Sequence, residues 1–531
     1  MDFFNFLKAK RNSELLILYG TKSGNSKLIA EQTQKYFDKY GIKSVCKNMS
    51  GFDPVKLNET QKLLVVVSTH GEGEPPPAAE RFFKVCLSDE MTKLPQLNYS
   101  ICALGDSSYE EFCWAGKELD RRFAELGAKA FHPRKDCDLE FSEDAVQWIK
   151  QAAEALISKT EKPVAAEKFK PGFETGETYS ARIKERILLT KGDEVAPVYH
   201  LTLDTGDSEL QYNIGDSVEI IPENPDWLAE ALIHKLVNGE TAKTDTAGIK
   251  KRLVNDYEIT SLSGKTVYDY ANLTKQGALN DLLQTPENLK LYTEKANVLD
   301  LLSDYPAKTD IAGFLKLLPK IKGRKYSIAS SQKSFQNEVH LTIKTIRYNY
   351  QGNLHEGSAS VYANEFLPVD SKVQFKLSPN VSFQLPDNND TPVIMIGVST
   401  GIAPFLAILQ EREALQLHGK TWLIWGNKYR EKDFLYRDEI MNYKTNGILE
   451  KLDTAFSCDN GEPKYVNEIL HTNAVDLKNW LMKGAHIYVC GSLKMAHSVK
   501  HTLAEICNES HDILLSFDEI LKQERYHEDA Y

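Results

Sequence analysis

The stretch that decides the fold reads LLILYGTKSGNSKLIA, residues 15–30, where an apolar run ends in a short polar loop and a helical pattern begins. Unbroken apolar runs are typical of parallel strands that are buried on both faces. Two similar runs follow, LLVVVST at 63–69 and YSICALGD at 99–106, with helical patterns between them. The sequence therefore predicts that residues 1–158 form a doubly wound α/β domain.

Polar loops follow these apolar runs, and parallel strands bring such loops to one edge of a sheet. The loop at 21–26 offers hydroxyl and backbone N–H groups at a helix N-terminus, which form a socket for phosphate. The loop at 68–75 offers flexible backbone, and the loop after 104 holds Tyr109, a flat platform for a planar ring. Taken singly, Tyr109 is better explained as a core aromatic and His70 as a solvated turn residue. Together the loops favour an FMN site.

The candidate FMN residues are Thr21, Lys22, Ser23, Gly24, Asn25, Ser26, Thr69, His70, Gly71, Gly73, Gly105, Asp106, Tyr109, Phe112 and Asp138.

Composition narrows the possible partners. The 531 residues include 64 Lys and Arg against 75 Asp and Glu, a net charge of −11, which repels a nucleic-acid backbone. The eight Cys form no C-x-x-C pair and no Cys/His cluster at zinc spacing, so we expect reduced thiols in the cytoplasm and no metal. The first 14 residues carry no apolar stretch of signal-peptide or membrane-span length, so we expect no membrane association.

The rest of the chain changes pattern at definable points. Residues 159–175 are rich in charge and Pro without periodicity, which indicates a linker. Alternating segments at 176–225 and 324–390 predict an antiparallel β-barrel, which is interrupted by a helical insertion at 226–323. Buried-strand patterns return at 391–531 and predict a second nucleotide-binding α/β domain.

Three motifs in the second half point to a flavin and a nicotinamide nucleotide. Arg324-Lys325-Tyr326-Ser327 resembles the R-x-Y-S motif of the ferredoxin–NADP reductase family. In it an arginine can neutralise the FAD pyrophosphate, the tyrosine can lie against the flavin and the serine can hydrogen-bond at its N5 edge. The segment 357–360 looks like the family's second pyrophosphate contact, and 397–405 lets a nucleotide pyrophosphate approach the backbone.

The segments GTKSGNS, STHGEGEPP and ALGDSSYEEFCWAGKELD resemble the FMN half of the diflavin reductase family, closest to the flavoprotein subunits of bacterial sulfite reductase. The resemblance implies a flavodoxin-like domain, an FAD-binding barrel and a ferredoxin–NADP reductase-like nucleotide domain. It also implies that Cys490 lies beside the nicotinamide, where a buried Cys would otherwise be a small hydrophobe. By the same resemblance Tyr531 covers the FAD ring, and Asp529 joins Ser327 and Cys490 around the hydride path.

The resulting catalytic candidates are Ser327, Cys490, Asp529 and Tyr531. The FAD candidates are Arg324, Tyr326, Ser327, Gly357, Ser358, Ala359, Ser360 and Tyr531. The NADPH candidates are Thr400, Gly401, Ser457, Lys464, Tyr465 and Cys490.

The chain departs from the family where NADPH is distinguished from NADH. Ser457 and Tyr465 match, but Cys458 stands where an arginine is expected, and Lys464 lies next to Tyr465 rather than two residues before it. A lost guanidinium removes the strongest contact to the extra phosphate. NADH therefore stays open as a donor. The turn after Gly491 is also one residue short of the family pattern.

The resemblance implies an NADPH-dependent reductase that passes electrons through FAD and FMN to a haemoprotein, the haemoprotein of sulfite reductase. Nicotinamide gives up a hydride whereas haem accepts single electrons, which is why two flavins are needed. Two alternatives remain at this stage: a general haemoprotein reductase serving a monooxygenase, and a redox-inert scaffold that kept the fold.

Overall fold

The structure, a computed structural model, describes residues 15–21, 24–69, 73–76, 79–106, 111–138, 141–156, 178–206, 208, 210–237, 245–418, 420–459, 464–508 and 516–531. The chain divides into two compact units. The first comprises Met1–Gly176, Asn380–Ser382 and Cys507–Asp529, and the second comprises Glu177–Pro379, Phe383–Ile506 and Ala530–Tyr531. The predicted linker at 159–175 lies outside the described residues.

The first unit is a parallel α/β sheet in which the strand order is β2-β1-β3-β4-β5, with β6 also beside β4. Its elements are β1 (Leu15–Gly20), α1 (Asn25–Lys39), β2 (Ser44–Asn48), β3 (Lys62–Ser68), α2 (Glu80–Leu87), β4 (Asn98–Leu104), α3 (Trp114–Glu125), β5 (Lys129–Ala130), β6 (Lys135–Cys137) and α4 (Ser142–Leu156).

Both faces of this sheet are buried, which explains the unbroken apolar runs. Along β3, Val65 and Val67 join a core with Phe82 of α2, whereas Leu64 and Val66 join a separate core with Trp148 of α4. Successive side chains of a strand point to opposite faces, so each face needs its own apolar set. The predicted doubly wound, flavodoxin-like fold is confirmed.

The second unit begins with an antiparallel sheet in the order β10-β9-β14-β7-β8-β11. These strands are β7 (Thr178–Leu188), β8 (Val198–Asp204), β9 (Ser217–Ile220), β10 (Arg324–Ser327), β11 (Glu338–Lys344) and β14 (Lys372–Ser378). Alternate residues such as Val339, Leu341 and Ile343 of β11 form its core. The hairpin β12 (Arg347–Tyr350) and β13 (Asn353–Glu356) precedes a short helix, α12 (Ser358–Val361).

Helices occupy the chain between β9 and β10. They are α5 (Asp226–Val237), α6 (Thr246–Asn255), α7 (Gly264–Thr274), α8 (Asn280–Gln284), α9 (Pro286–Thr293), α10 (Val298–Asp304) and α11 (Ile311–Leu315). They share one apolar core that includes Leu232, Tyr270, Leu301 and Phe314. A separate core explains how so long a segment can interrupt a barrel without disturbing its strand pairing.

The last part is again a parallel sheet, in which the strand order includes β17-β16-β15-β18. Its elements are β15 (Val393–Val398), α13 (Ala403–Ala414), β16 (Thr421–Asn427), α14 (Arg430–Asp433), α15 (Arg437–Thr445), β17 (Lys451–Phe456), α16 (Val466–Thr472), α17 (Ala474–Met482), β18 (His486–Gly491) and α18 (Leu493–Asn508). Along the chain α19 (Phe517–Lys522) and β19 (Tyr526–Ala530) follow, almost entirely within the residues that are grouped with the first unit. Among the described residues, no helix combines the length and apolarity needed to cross a bilayer.

Candidate functional site

The first candidate site lies at the carboxyl edge of the first sheet, where β1 turns into α1. Gly24 adopts a left-handed conformation with φ 86°, and its amide donates to Thr21 Oγ1 at 2.9 Å. Within the described residues, the buried Ser26 hydroxyl has no hydrogen-bond partner. An unsatisfied buried hydroxyl in the first turn of a 15-residue helix fits a phosphate oxygen, because the helix N-terminus favours negative charge.

Neighbouring loops are joined along the same edge. The Thr69 amide donates to Leu104 O at 2.8 Å and the Gly105 amide donates to Cys137 O at 3.0 Å, while the Ala115 amide donates to Thr69 Oγ1 at 3.1 Å. Gly105 has no room for a side chain, since a Cβ there would lie 2.7 Å from the Cys113 nitrogen.

The structure thus brings Thr69 and Gly105 to neighbouring strand ends, as predicted. Phe112 is half-buried there, with the Lys117 ammonium 5.6 Å from its ring centroid. Asp106 and Asp138 both have interaction partners. Lys22, Ser23, His70, Gly71 and Tyr109 lie outside the described residues, so the planar-ring end of the FMN site stays a prediction.

The second candidate site centres on β10, which carries the R-x-Y-S motif. Its residues Arg324 to Ser327 pair antiparallel with Ile220 to Ser217 of β9. The Arg324 guanidinium donates to Glu258 Oε2 at 3.2 Å, while its side chain stays 44% exposed. One carboxylate therefore orients an arginine that still faces solvent with its remaining N–H groups, which suits an incoming pyrophosphate.

Tyr326 and the segment 357–360 complete this site. Burial raises the pKa of the Tyr326 phenol above its ordinary value, so the ring is neutral and suited to apolar contact. The Ser360 hydroxyl accepts from the Ile346 amide at 3.1 Å and donates to Gly357 O at 3.2 Å. Ser360 thus fixes the start of α12 rather than offering its hydroxyl outward, a structural role that the motif alone does not reveal.

The third candidate site lies at the carboxyl edge of the last sheet, where β15 meets β18. A Cβ on Gly401 would lie 2.2 Å from the Cys490 carbonyl oxygen, so only glycine fits. Ser399 has φ 51°, the left-handed region that a glycine adopts readily. Ser399 therefore keeps a strained backbone conformation, and its carbonyl accepts from Trp425 Nε1 at 3.1 Å.

The C-terminal residue, Tyr531, lies at this edge of the sheet. The Tyr531 hydroxyl is 2.6 Å from Thr400 Oγ1, and its ring is 59% exposed. The Tyr531 amide donates to Gly491 O at 3.0 Å, and its carbonyl accepts from the Leu493 amide at 3.3 Å. The shortened turn after β18 is thus held by the chain's last residue.

Cys490 is fully buried at the end of β18. It shares the second unit with Ser327 and Tyr531, whereas Asp529 is grouped with the first unit. The polar set of Ser327, Cys490 and Asp529 therefore stays a prediction.

The residues expected to recognise the extra phosphate follow β17. Ser457 and the exposed Cys458 are held beside β16, because their amides donate to Asn427 O and Lys428 O at 3.0 and 2.8 Å. Tyr465 is exposed, and the Lys464 amide donates to Glu468 Oε2 at 2.9 Å.

Arg430, which the sequence does not single out, lies here too. Its Cζ is 4.5 Å from the Phe456 ring centroid. No motif indicates it, because the contact joins two neighbouring strand ends that are distant in sequence.

Comparison with known proteins assigns each site to a recognised domain. A flavodoxin model matches residues 17–148, an FAD-binding domain model matches 253–362 and an oxidoreductase NAD-binding domain model matches 395–501. The chain is 36% identical to the sulfite reductase [NADPH] flavoprotein alpha-component of Bacillus subtilis, over 98% of this chain and 89% of that protein. The chain belongs to the sulfite reductase flavoprotein alpha-component family.

Other members of the family are similar over the same span. The alpha-component of Shewanella oneidensis is 34% identical over 99% of this chain and 90% of its own length, and that of Mannheimia succiniciproducens is 33% identical over 97% and 89%. Because the similarity runs through all three matched domains, family membership covers both the flavodoxin-like part and the nucleotide-binding part of this chain.

Proposed function

We propose that this chain is the flavoprotein component of an NADPH-dependent sulfite reductase. It takes electrons from NADPH and passes them through FAD and FMN to a sulfite reductase haemoprotein. The observation that carries the proposal is that a flavodoxin match, an FAD-binding match and an NAD-binding match lie together on one chain of this family.

When bound, FAD accepts a hydride and FMN passes electrons on singly, which is the chemistry that couples a nicotinamide to a haem. In the first unit Thr21, Gly24 and Ser26 hold the FMN phosphate through hydroxyl and backbone groups, supported by the glycine turn at φ 86°. Thr69 and Gly105 keep the neighbouring loops together at the same edge.

In the second unit Arg324 neutralises the FAD pyrophosphate while Glu258 fixes its orientation. The neutral Tyr326 ring would pack against the flavin, and the Ser327 hydroxyl would donate a hydrogen bond at its N5 edge. Thr400 and Gly401 receive the nucleotide pyrophosphate, because the absence of a side chain at Gly401 lets the backbone approach. Tyr531 would cover the FAD ring when that cofactor is bound, and Cys490 would lie beside the nicotinamide.

The proposed electron acceptor is a haemoprotein. The proposed compartment is the cytoplasm, where NADPH is supplied and thiols stay reduced. In the structure none of the eight cysteines, all of which lie among the described residues, forms a disulfide, although the sulfurs of Cys102 and Cys137 are 3.7 Å apart. Reduced thiols at that separation are in keeping with a reducing compartment.

The test is a flavin assay followed by affinity capture from the native cell. The purified protein should contain one FMN and one FAD per chain, and NADPH should reduce both without oxygen. The tagged chain should co-purify with a sirohaem protein and support its reduction of sulfite. A protein without flavin would contradict the enzyme assignment, and capture of a monooxygenase alone would contradict the acceptor.

A further inference from the structure

The position after Ser457, where the family has an arginine, carries no charge in this chain. Ser457 is followed by Cys458, an exposed and uncharged side chain. A hydroxyl alone gives a phosphate one hydrogen bond and no charge, whereas a guanidinium gives two parallel charge-assisted bonds. The inference that follows rests on the proposed function, in which the donor carries a ribose 2′-phosphate.

Arg430 lies alongside the Ser457–Cys458 dipeptide. Its amide donates to Asp459 Oδ2 at 3.0 Å, and its guanidinium carbon is 4.5 Å from the Phe456 ring centroid. Phe456 immediately precedes the dipeptide and Asp459 immediately follows it. The two contacts therefore bracket the position where the missing arginine would stand.

The backbone around Arg430 is held firmly. The buried Asp433 carboxylate accepts from the Tyr429 amide at 2.7 Å, and the Asn427 side chain donates to the Asp433 carbonyl at 2.8 Å. These bonds tie the loop between β16 and α14 into a compact turn. The direction in which Arg430 leaves the backbone is thereby fixed before any nucleotide arrives.

Two other cations near this turn already have carboxylate partners. Lys432 pairs with Glu194 at 2.8 Å, and Arg437 pairs with Glu431 at 2.9 Å. In the part of the chain that the structure describes, no carboxylate forms a side-chain ion pair with Arg430. A guanidinium stacked on a ring uses its face, so its N–H groups stay directed outward at the edges.

We propose that Arg430 supplies the guanidinium that Cys458 does not, so that the 2′-phosphate of NADPH binds between Arg430 and Ser457. The recognising cation is thus moved from the end of β17 to the neighbouring strand end. The Asp459 carboxylate, which accepts from the Arg430 amide, adds a negative charge near the phosphate and keeps discrimination against NADH moderate. The ligand class is a nucleotide that carries a ribose phosphomonoester.

The experiment is a double-mutant cycle on the full-length flavoprotein, with kcat/KM measured for NADPH and NADH. Arg430→Gln should lower the value for NADPH by about tenfold or more and leave that for NADH within about twofold. Cys458→Arg should raise the preference for NADPH. In the Cys458→Arg background Arg430→Gln should lower kcat/KM for NADPH much less, because both guanidinium groups then contact the same phosphate.

A binding measurement gives a readout that is independent of turnover. Calorimetry should show that Arg430→Gln weakens binding of 2′,5′-ADP but not of 5′-AMP, which lacks the second phosphate. Arg437→Gln is the matched control, since it removes the same charge from a side chain already paired with Glu431. Arg437→Gln should leave the affinities for 2′,5′-ADP and 5′-AMP unchanged.

An unchanged nucleotide ratio and unchanged 2′,5′-ADP affinity in Arg430→Gln would overturn the inference, as would an equal effect of Arg437→Gln. If neither nucleotide reduces flavin in the unmodified protein, the proposed function fails instead. The two failures are therefore distinguishable.

Discussion

Gly401 shows how a single residue without a side chain sets the geometry of a binding edge. The ends of β15 and β18 come so close that a Cβ at this position would lie 2.2 Å from the Cys490 oxygen and 2.7 Å from its carbonyl carbon. Both atoms belong to the backbone, which cannot turn aside as a flexible side chain would. Gly401 and Cys490 are thus coupled parts of one site.

Gly401→Ala should push these strand ends apart. We expect a loss of about 1–3 kcal/mol in the free energy of unfolding of the second unit, typical of overpacking, together with weaker nucleotide binding. Urea unfolding and nucleotide titration measure the two effects. Gly277→Ala is the control, because no atom lies within 4 Å of a Cβ placed there. Similar results for the two variants would show that the close approach is unimportant.

At the scale of elements, Tyr531 is held at the carboxyl edge of the last sheet, where β15 meets β18. Tyr531 is fixed by backbone bonds to Gly491 and Leu493 and by the contact of its hydroxyl with Thr400. A ring that covers the flavin must leave before nicotinamide can stack, so its displacement reduces the net free energy of nucleotide binding. The extra phosphate of NADPH offsets part of that cost.

Tyr531→Ala should therefore strengthen binding of both nucleotides, raise the use of NADH relatively more, and slow release of the oxidised nucleotide. Tyr531→Phe keeps the ring and loses only the bond to Thr400, so its nucleotide affinity and rate of FAD reduction should stay close to those of the unmodified protein.

Asp529→Ala should instead lower the hydride-transfer rate with little gain in nucleotide binding. Stopped-flow reduction of FAD separates these roles. Unchanged affinity and rate in Tyr531→Ala would make the C-terminus an ordinary tail.

A pair of histidines, the half-buried His200 and the buried His340, lies where β8 and β11 meet the residue before α15. His200 Nδ1 is 2.9 Å from the Tyr436 hydroxyl, which is 2.7 Å from Thr342 Oγ1. Burial, and secondarily the charge of His340, lowers the pKa of His200 to about 4, with Glu338 acting in the opposite direction. The neutral imidazole is therefore the form that this junction accommodates.

Lowering the pH should reduce the free energy of unfolding of the second unit through protonation of His200. An unfolded histidine titrates at about 6.5, so the unfolded chain binds the proton first as the pH falls. The stability contributed by neutral His200 is thus full above about pH 6.5 and is lost progressively toward pH 4, on the order of 3 kcal/mol in total. Between pH 7.5 and pH 5 the free energy of unfolding, measured in urea, should decrease less in His200→Gln than in the unmodified protein. An equal decrease in both proteins would assign the acid sensitivity to other groups.

The elements were predictable from the sequence wherever one pattern dominated. The runs at 15–20 and 63–69 lack alternation because both faces of β1 and β3 are buried. The edge residues Thr69, Gly105 and Gly401 followed from the rule that loops of parallel strands share an edge. Glu258 beside Arg324 is 66 residues away in sequence, and Arg430 over Phe456 joins two strand ends. Such partners depend on tertiary packing and leave no local pattern.

At the scale of the whole molecule, the two units divide one electron-transfer task. The first unit carries the flavodoxin match and the second carries the FAD- and NAD-binding matches. Their cores are separate, since the clusters around Val65 and Leu64 contain no residue of the barrel core around Leu341. A change confined to one flavin site should therefore leave the other flavin in place.

Tyr109→Ala tests this division, because the tyrosine is the proposed platform for the FMN ring and stacking supplies about 0.5–1.5 kcal/mol beyond the area that it buries. The variant should lose FMN while keeping FAD. Reduction of FAD by nucleotide should survive, whereas transfer to a one-electron acceptor should fall and recover when excess FMN is added. Tyr268→Ala is the matched control, since Tyr268 is 58% exposed on α7 in the helical segment, and it should retain both flavins. Equal loss of FMN and FAD from Tyr109→Ala would contradict the assignment of this loop, because a general folding defect removes both flavins whereas a lost stacking partner removes one.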